Sequence, residues 1–218
     1  MQLEHKVEFL IMLYGTCIVV SELMGSKVIP LVNLFGMQFN ASVALFTLPL
    51  IFTINDVIIE VCGFEKSKNM VRSGLVMIAF NMFFSLLVTI LPPAKRFIAQ
   101  NSAYVSVFSQ SLRISFASLC AFALADVSDI LIFQKLRKRL GTKRLWLRNN
   151  VSNIISQGID TTVFMTLAFY SFSTGFSHNV TFLASIVLPY WLVKCCMSII
   201  ETPFVYLGVR WLRGGSKA

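Results

Sequence analysis

Residues 73–93 read SGLVMIAFNMFFSLLVTILPP, twenty-one residues without a charge, closed by two prolines. A helix needs about 20 mostly apolar residues to cross a bilayer, and this stretch reaches that length before Pro92 and Pro93 stop it. It reads as a membrane span. Five further runs outward from it qualify on the same grounds: 9–29, 40–63, 113–133, 149–171 and 181–206. The 218-residue chain is 56% hydrophobic and 13% charged, where soluble domains carry roughly a quarter charged residues. Its mean hydropathy is +0.74. The expected fold class is an all-α integral membrane protein, a single transport-type domain over 1–218 with six transmembrane helices.

Six crossings put both termini on one side, and the basic residues say which. Lys6, then Lys66, Lys68 and Arg72, then Lys135, Arg137, Lys138, Arg139, Lys143, Arg144 and Arg148, then Arg210, Arg213 and Lys217 fall on one face. The other face holds only Lys27, Lys95, Arg96 and Arg113. The positive-inside rule makes both termini cytoplasmic. The net charge of +9 therefore reflects topology and anionic headgroups, and no nucleic acid is expected as a partner. Two three-helix halves would run in opposite directions, which allows an inverted repeat without establishing one. The first run has only Lys6 before it and no cleavage site after it, so it is expected to be retained as a helix. The connection 94–112, with Phe97, Ile98, Tyr104, Val105 and Phe108, is expected to lie on or dip into the outer surface of the protein. Five cysteines, odd in number and without CxxC spacing, read as small core residues.

The acids carry the functional signal. Glu22, Asp56, Glu60, Asp126, Asp129, Asp160 and Glu201 fall inside the spans, against Lys27 and Lys194. Mutual pairing leaves five acids needing another partner, and a charge at the bilayer centre costs roughly 2.5–3.5 kcal/mol even on lenient scales. Asp126 and Asp129, one turn apart, stand near loop bases. Glu60 is placed equally well for Arg72, Lys66 or a substrate, and Glu22 is spaced awkwardly for Lys27. Asp56, Asp160 and Lys194 lie too deep to reach water, so they are the strongest candidates. Asn153, Gln157 and Asp160 fall at i, i+4 and i+7 and make a polar stripe, with Thr161 and Phe164 on its flank. Asn81 and Ser118 either line the same hollow or bond between helices. Pro189 and Pro203 bend or break the last span around Lys194 and Glu201. A hydrated cavity between helices is the economical reading.

Catalysis has no matching constellation. The chain has no P-loop, HExxH or GxSxG, and its two histidines, His5 and His178, lie outside the spans. Neither a cofactor nor a metal is expected, and the protein is read as a transporter and not an enzyme. Without ATP machinery it would be a secondary carrier, coupled to H+ or Na+ or running downhill. The alternatives are the substrate-binding membrane subunit of an ATP-driven vitamin uptake complex and, less favoured, a lipid-headgroup transferase.

Three stretches, LPLIFTINDVIIEVCG (48–63), LRISFASLCAFALADVSDILIFQKLRKR (112–139) and LWLRNNVSNIISQGIDTTVF (145–164), together resemble the queuosine precursor transporter family of bacterial inner membranes. Lys194 followed by Pro203 is similar to the family's last segment. The resemblance implies inward carriage of 7-deazaguanine bases, namely the 7-cyano and 7-aminomethyl precursors or queuine. It also implies a nucleobase-like cargo bound by Asp56, Glu60, Asn153, Gln157, Asp160 and Lys194, with Asn81 and Ser118 lining and Trp191 or Phe164 stacking. Glu22, Glu201, Asp129 and Arg113 are left as coupling or gating groups. The oligomeric state is undetermined.

Overall fold

The computed structural model describes residues 2–34, 37–140, 145–200 and 202–214. The described chain is mostly helical: α1 (Gln2–Met24), a hairpin of β1 (Val28–Leu34) and β2 (Met37–Ser42), then α2 (Leu48–Cys62), α3 (Phe64–Ile90), α4 (Ile98–Leu140), α5 (Leu145–Phe169), α6 (Phe176–Ile200) and α7 (Thr202–Leu212). Among the described residues, five helical stretches are long and apolar enough to cross a membrane: Leu3–Met24, Val43–Cys62, Phe64–Ile90, Lys95–Ala125 and Phe176–Cys196. Ile154–Phe169 is a shorter apolar helix. On α3, Val76, Phe80, Phe83, Phe84 and Ile90 are each more than half exposed. So large an unpartnered apolar face belongs in hydrocarbon.

The elements depart from the expected spans for physical reasons. The fold is not purely helical, because α1 ends at Met24 and residues 28–42, most of them the connection between the first two expected spans, form the hairpin. Its base is tied by Ser42 Oγ donating to Gly25 O at 2.5 Å and Val43 N–H donating to Lys27 O at 2.9 Å. The third span begins nine residues early. Gly63, at φ 86°, takes a left-handed conformation that other residues rarely adopt, and it separates α2 from α3. The charged residues 65–72 continue α3 as helix. The connection 94–112 is not a separate segment: residues 98–112 are the opening turns of α4, and most of them are exposed. Its aromatics recur at helical spacing and pack along one face, edge-on for Phe97 and Tyr104 with ring centroids 5.5 Å apart and tilted for Tyr104 and Phe108 at 4.4 Å. The last expected span covers parts of α6 and α7, with Pro203 in the first turn of α7 and Pro189 accommodated inside α6.

The chain divides into two compact units, one of Met1–Ile29, Ser42–Ser115 and Cys196–Ala218, the other of Pro30–Ala41 and Phe116–Cys195. The first has an apolar core of Val7, Tyr14, Ile18, Ile54, Val57, Ile58, Met70, Val209 and Leu212. Glycines let its helices close in: a Cβ at Gly208 on α7 would lie 2.7 Å from Val57 Cγ2, and one at Gly74 on α3 would lie 2.7 Å from Ile18 Cδ1. Small residues serve this purpose in bilayers, where no water drives helices together. In the second unit, Asn179 secures the α5–α6 turn. Its side chain accepts from Ser171 N–H at 3.0 Å and donates to Ser171 O at 2.7 Å and Thr174 O at 3.1 Å.

Candidate functional site

Within the second unit, α5 and α6 bring together two of the three groups hardest to explain as decoration. Asp160 Oδ2 lies 2.6 Å from Lys194 Nζ, with side-chain exposures of 27% and 12%. The pairing follows from register. Asp160 lies on the α5 stripe that also carries Gln157, Thr161 and Phe164, and Thr161 is fully buried with its hydroxyl donating to Gln157 O at 2.8 Å. On α6, Lys194 follows Tyr190 by four residues, and its ammonium lies 5.7 Å from the Tyr190 ring centroid. That places the cation over a π face as well as against a carboxylate. Desolvating either charge alone costs several kcal/mol, so each is tolerated here because the other is present.

Trp191 fixes the distance between the two helices. Its indole N–H donates to Ile154 O on α5 at 3.1 Å. A Cβ added at Gly158 would come 3.4 Å from that nitrogen, so the glycine lets the ring lie close against α5. Tyr190 and Gly158 are the site-forming residues that sequence reasoning missed. A signal for Tyr190 existed in its four-residue spacing from Lys194, whereas Gly158 is decided by packing distance alone.

A pocket of about 760 Å³ opens on a different stripe of α5, lined by Phe39, Ile155, Gly158, Ile159, Thr162, Val163, Ala184, Val187, Leu188 and Trp191. Neither Asp160 nor Lys194 lines it. The ion pair is therefore the better marker of polar chemistry, and the pocket is a separate feature.

The other candidates are placed as follows. Asp56 is exposed on α2 in the first unit. Glu60 faces Arg213 at 3.8 Å and not Arg72 or Lys66; both side chains are about half exposed, which makes the pair weak. Glu22 is buried on α1, where Ser111 Oγ donates to its backbone carbonyl at 3.1 Å. Asn81 donates to Ser115 Oγ at 2.9 Å, a buried bond between α3 and α4. Ser118 is half-buried on α4 and Arg113 exposed. Phe164 is half-buried, edge-on to Phe169 at 6.4 Å. The side chains of Asp126, Asp129, Asn153 and Glu201 lie outside the described residues. Asn81→Leu should remove a buried bond and leave Ser115 without its donor, lowering stability by about 1–3 kcal/mol. A thermal unfolding series in detergent checks this, and an unchanged melting temperature would contradict it.

Comparison with known proteins supplies the context. A family model described as "Putative vitamin uptake transporter" matches residues 42–208. The chain is 28% identical over 181 residues to a "Probable queuosine precursor transporter" of Bacillus subtilis, covering 83% of this chain and 76% of that protein. It is 24% identical over 140 residues to a "Probable queuosine precursor transporter" of Haemophilus influenzae, covering 64% of this chain and 56% of the relative. No solved structure matches. A match spanning most of the chain, on a framework of long apolar helices, places this multi-pass protein of the bacterial inner membrane in the vitamin uptake transporter family, among relatives named as queuosine precursor transporters.

Proposed function

We propose that the protein imports queuosine precursors, 7-deazaguanine bases, and that Asp160 and Lys194 hold the cargo. The observation that carries this reading is the 2.6 Å ion pair between them, set within apolar helices. A guanine-like base presents adjacent N–H donors beside a carbonyl oxygen. A carboxylate accepts the donors as a pair and an ammonium donates to the oxygen, so the cargo edge can take over both halves of the ion pair. Each charge then exchanges one partner for another, and neither is left bare in the bilayer. Gln157, on the same helix, would meet the remaining edge, and Phe164 would cover the ring face, whereas Trp191, committed to Ile154 O and lining the apolar pocket, is assigned outside the cargo site. Glu22 is a coupling group in this proposal.

The reading takes the protein as a carrier in its own right, with both termini cytoplasmic and the shorter helix Ile154–Phe169 as a further crossing. Its support is the family's name together with the absence of ATP-binding or catalytic motifs in the sequence. The test is accumulation of labelled 7-aminomethyl-7-deazaguanine by cells lacking their own importer. Expression should restore uptake, and the 7-cyano base should compete. Adenine should not compete, because its reversed edge would set a ring acceptor against Asp160 and an amino group against Lys194. Equal competition by adenine would refute this assignment of the edge.

A further inference from the structure

We propose that the 760 Å³ pocket between α5 and α6 is a binding site for one acyl chain of a bilayer phospholipid, distinct from the cargo site. The lining determines the class of occupant. Eight of its ten side chains are apolar, Gly158 brings only backbone, and Thr162 is the one hydroxyl. That hydroxyl donates to Gly158 O at 2.8 Å, and the indole N–H of Trp191 is committed to Ile154 O at 3.1 Å. Both side-chain donors in the lining are thus already satisfied. A nucleobase placed there would exchange its hydrogen bonds with water for none, at a cost of roughly 1–3 kcal/mol per polar group. A hydrocarbon chain loses nothing.

Position identifies the source of that hydrocarbon. Ala184, Val187, Leu188 and Trp191 lie in the middle of the Phe176–Cys196 span. At ~1.5 Å rise per residue they stand about 12–22 Å along a path that crosses ~30 Å of bilayer core. Ala184, Leu188, Ile155 and Thr162 are exposed, so the hollow opens at the depth where phospholipid tails are the surrounding medium. Its volume lies within the ~300–1,000 Å³ typical of sites that enclose a small molecule. A chain laid along Gly158 and Trp191 would gain packing contacts and would also fill the α5–α6 seam that sets Asp160 against Lys194.

The test uses Trp191 as the reporter. In the full-length chain carrying Trp146→Phe and Trp211→Phe, delipidated in detergent, titration with a phosphatidylcholine brominated at carbons 9 and 10 of one chain should quench Trp191 fluorescence to saturation at one lipid per protein. Ala184→Phe and, from the opposite wall, Thr162→Leu place bulk in the hollow at exposed positions that leave the core intact; either should abolish the saturable quenching. A companion chain keeping only Trp211 should quench equally with and without these substitutions, which reports intact folding. Quenching that rises without saturation, or that persists unchanged in both filled variants, overturns the proposal. So does protection of Trp191 by 7-aminomethyl-7-deazaguanine, which would make the pocket a cargo site. Because the readout is lipid contact, its failure leaves the uptake assay unaffected, and the two readings can fail separately.

Discussion

Lys194→Met should abolish uptake and also reduce the amount of folded protein in the membrane. The Lys194 side chain is 12% exposed and its ammonium lies 2.6 Å from the Asp160 carboxylate, so its removal leaves a charge facing apolar helices. Stranding one partner of a buried pair costs about 3–5 kcal/mol, and the partial exposure of Asp160 puts the expected loss near the lower figure. Asp160→Asn strands Lys194 in the same way, although the cation retains the Tyr190 ring at 5.7 Å and a longer stem. The informative variant is the double one. Asp160→Asn with Lys194→Met has no stranded charge and nearly preserved volumes, so its abundance and melting temperature should return close to wild type. Its uptake should not return, because neither a paired acceptor nor a cationic donor remains for the cargo. Single and double variants compared by size-exclusion profile and by uptake separate the pair's structural role from its functional one. A double variant that transports normally would reduce the pair to a structural fastening.

Gly208→Val should be among the most damaging changes away from that pair. Any Cβ at position 208 falls 2.7 Å from Val57 Cγ2, and Val57 is 2% exposed in the core of the first unit. A β-branched side chain in a helix has essentially one rotamer, so Val57 cannot turn aside and α7 must move away from α2. Overpacking of this kind costs typically 1–3 kcal/mol for small additions, and the branched substituent should reach or exceed the upper figure. Gly74→Ala is the control. Its Cβ would meet Ile18 Cδ1 at the same 2.7 Å, but that atom is the tip of a longer side chain that can swing. The melting temperature in detergent should therefore fall well below wild type for Gly208→Val and only slightly for Gly74→Ala. The reverse order would show that the α2–α7 contact is looser than described.

What the sequence made legible follows from the length scale of each feature. Apolar runs of about 20 residues identify spans because the bilayer imposes that length, and α5 was read to within a few residues of its bounds. Boundaries were harder. Hydropathy falls at residues 64–72 and 98–112, yet the helices continue through both, since a charged or mixed segment can form a helix as readily as an apolar one. The hairpin at Val28–Ser42 is not legible from apolar runs, because most of it, residues 30–39, lies between the expected spans and strands of this length are too short to register as crossings. At the site, Asp160 and Lys194 stood out because a charge in oil needs a partner. That they partner each other depends on the register of α5 against α6, which the indole of Trp191 and the bare backbone of Gly158 set. No composition or spacing encodes that distance. Asn81, by contrast, was legible as either lining or glue, and its bond to Ser115 gives it an interhelical role.

The central claim, that the Asp160–Lys194 pair receives the cargo, is tested most directly by equilibrium binding of labelled 7-aminomethyl-7-deazaguanine to purified protein in lipid nanodiscs. Wild type should bind saturably, and the Asp160→Asn, Lys194→Met double variant, of matching melting temperature, should show no saturable binding. Equal affinity in the two proteins would contradict the account.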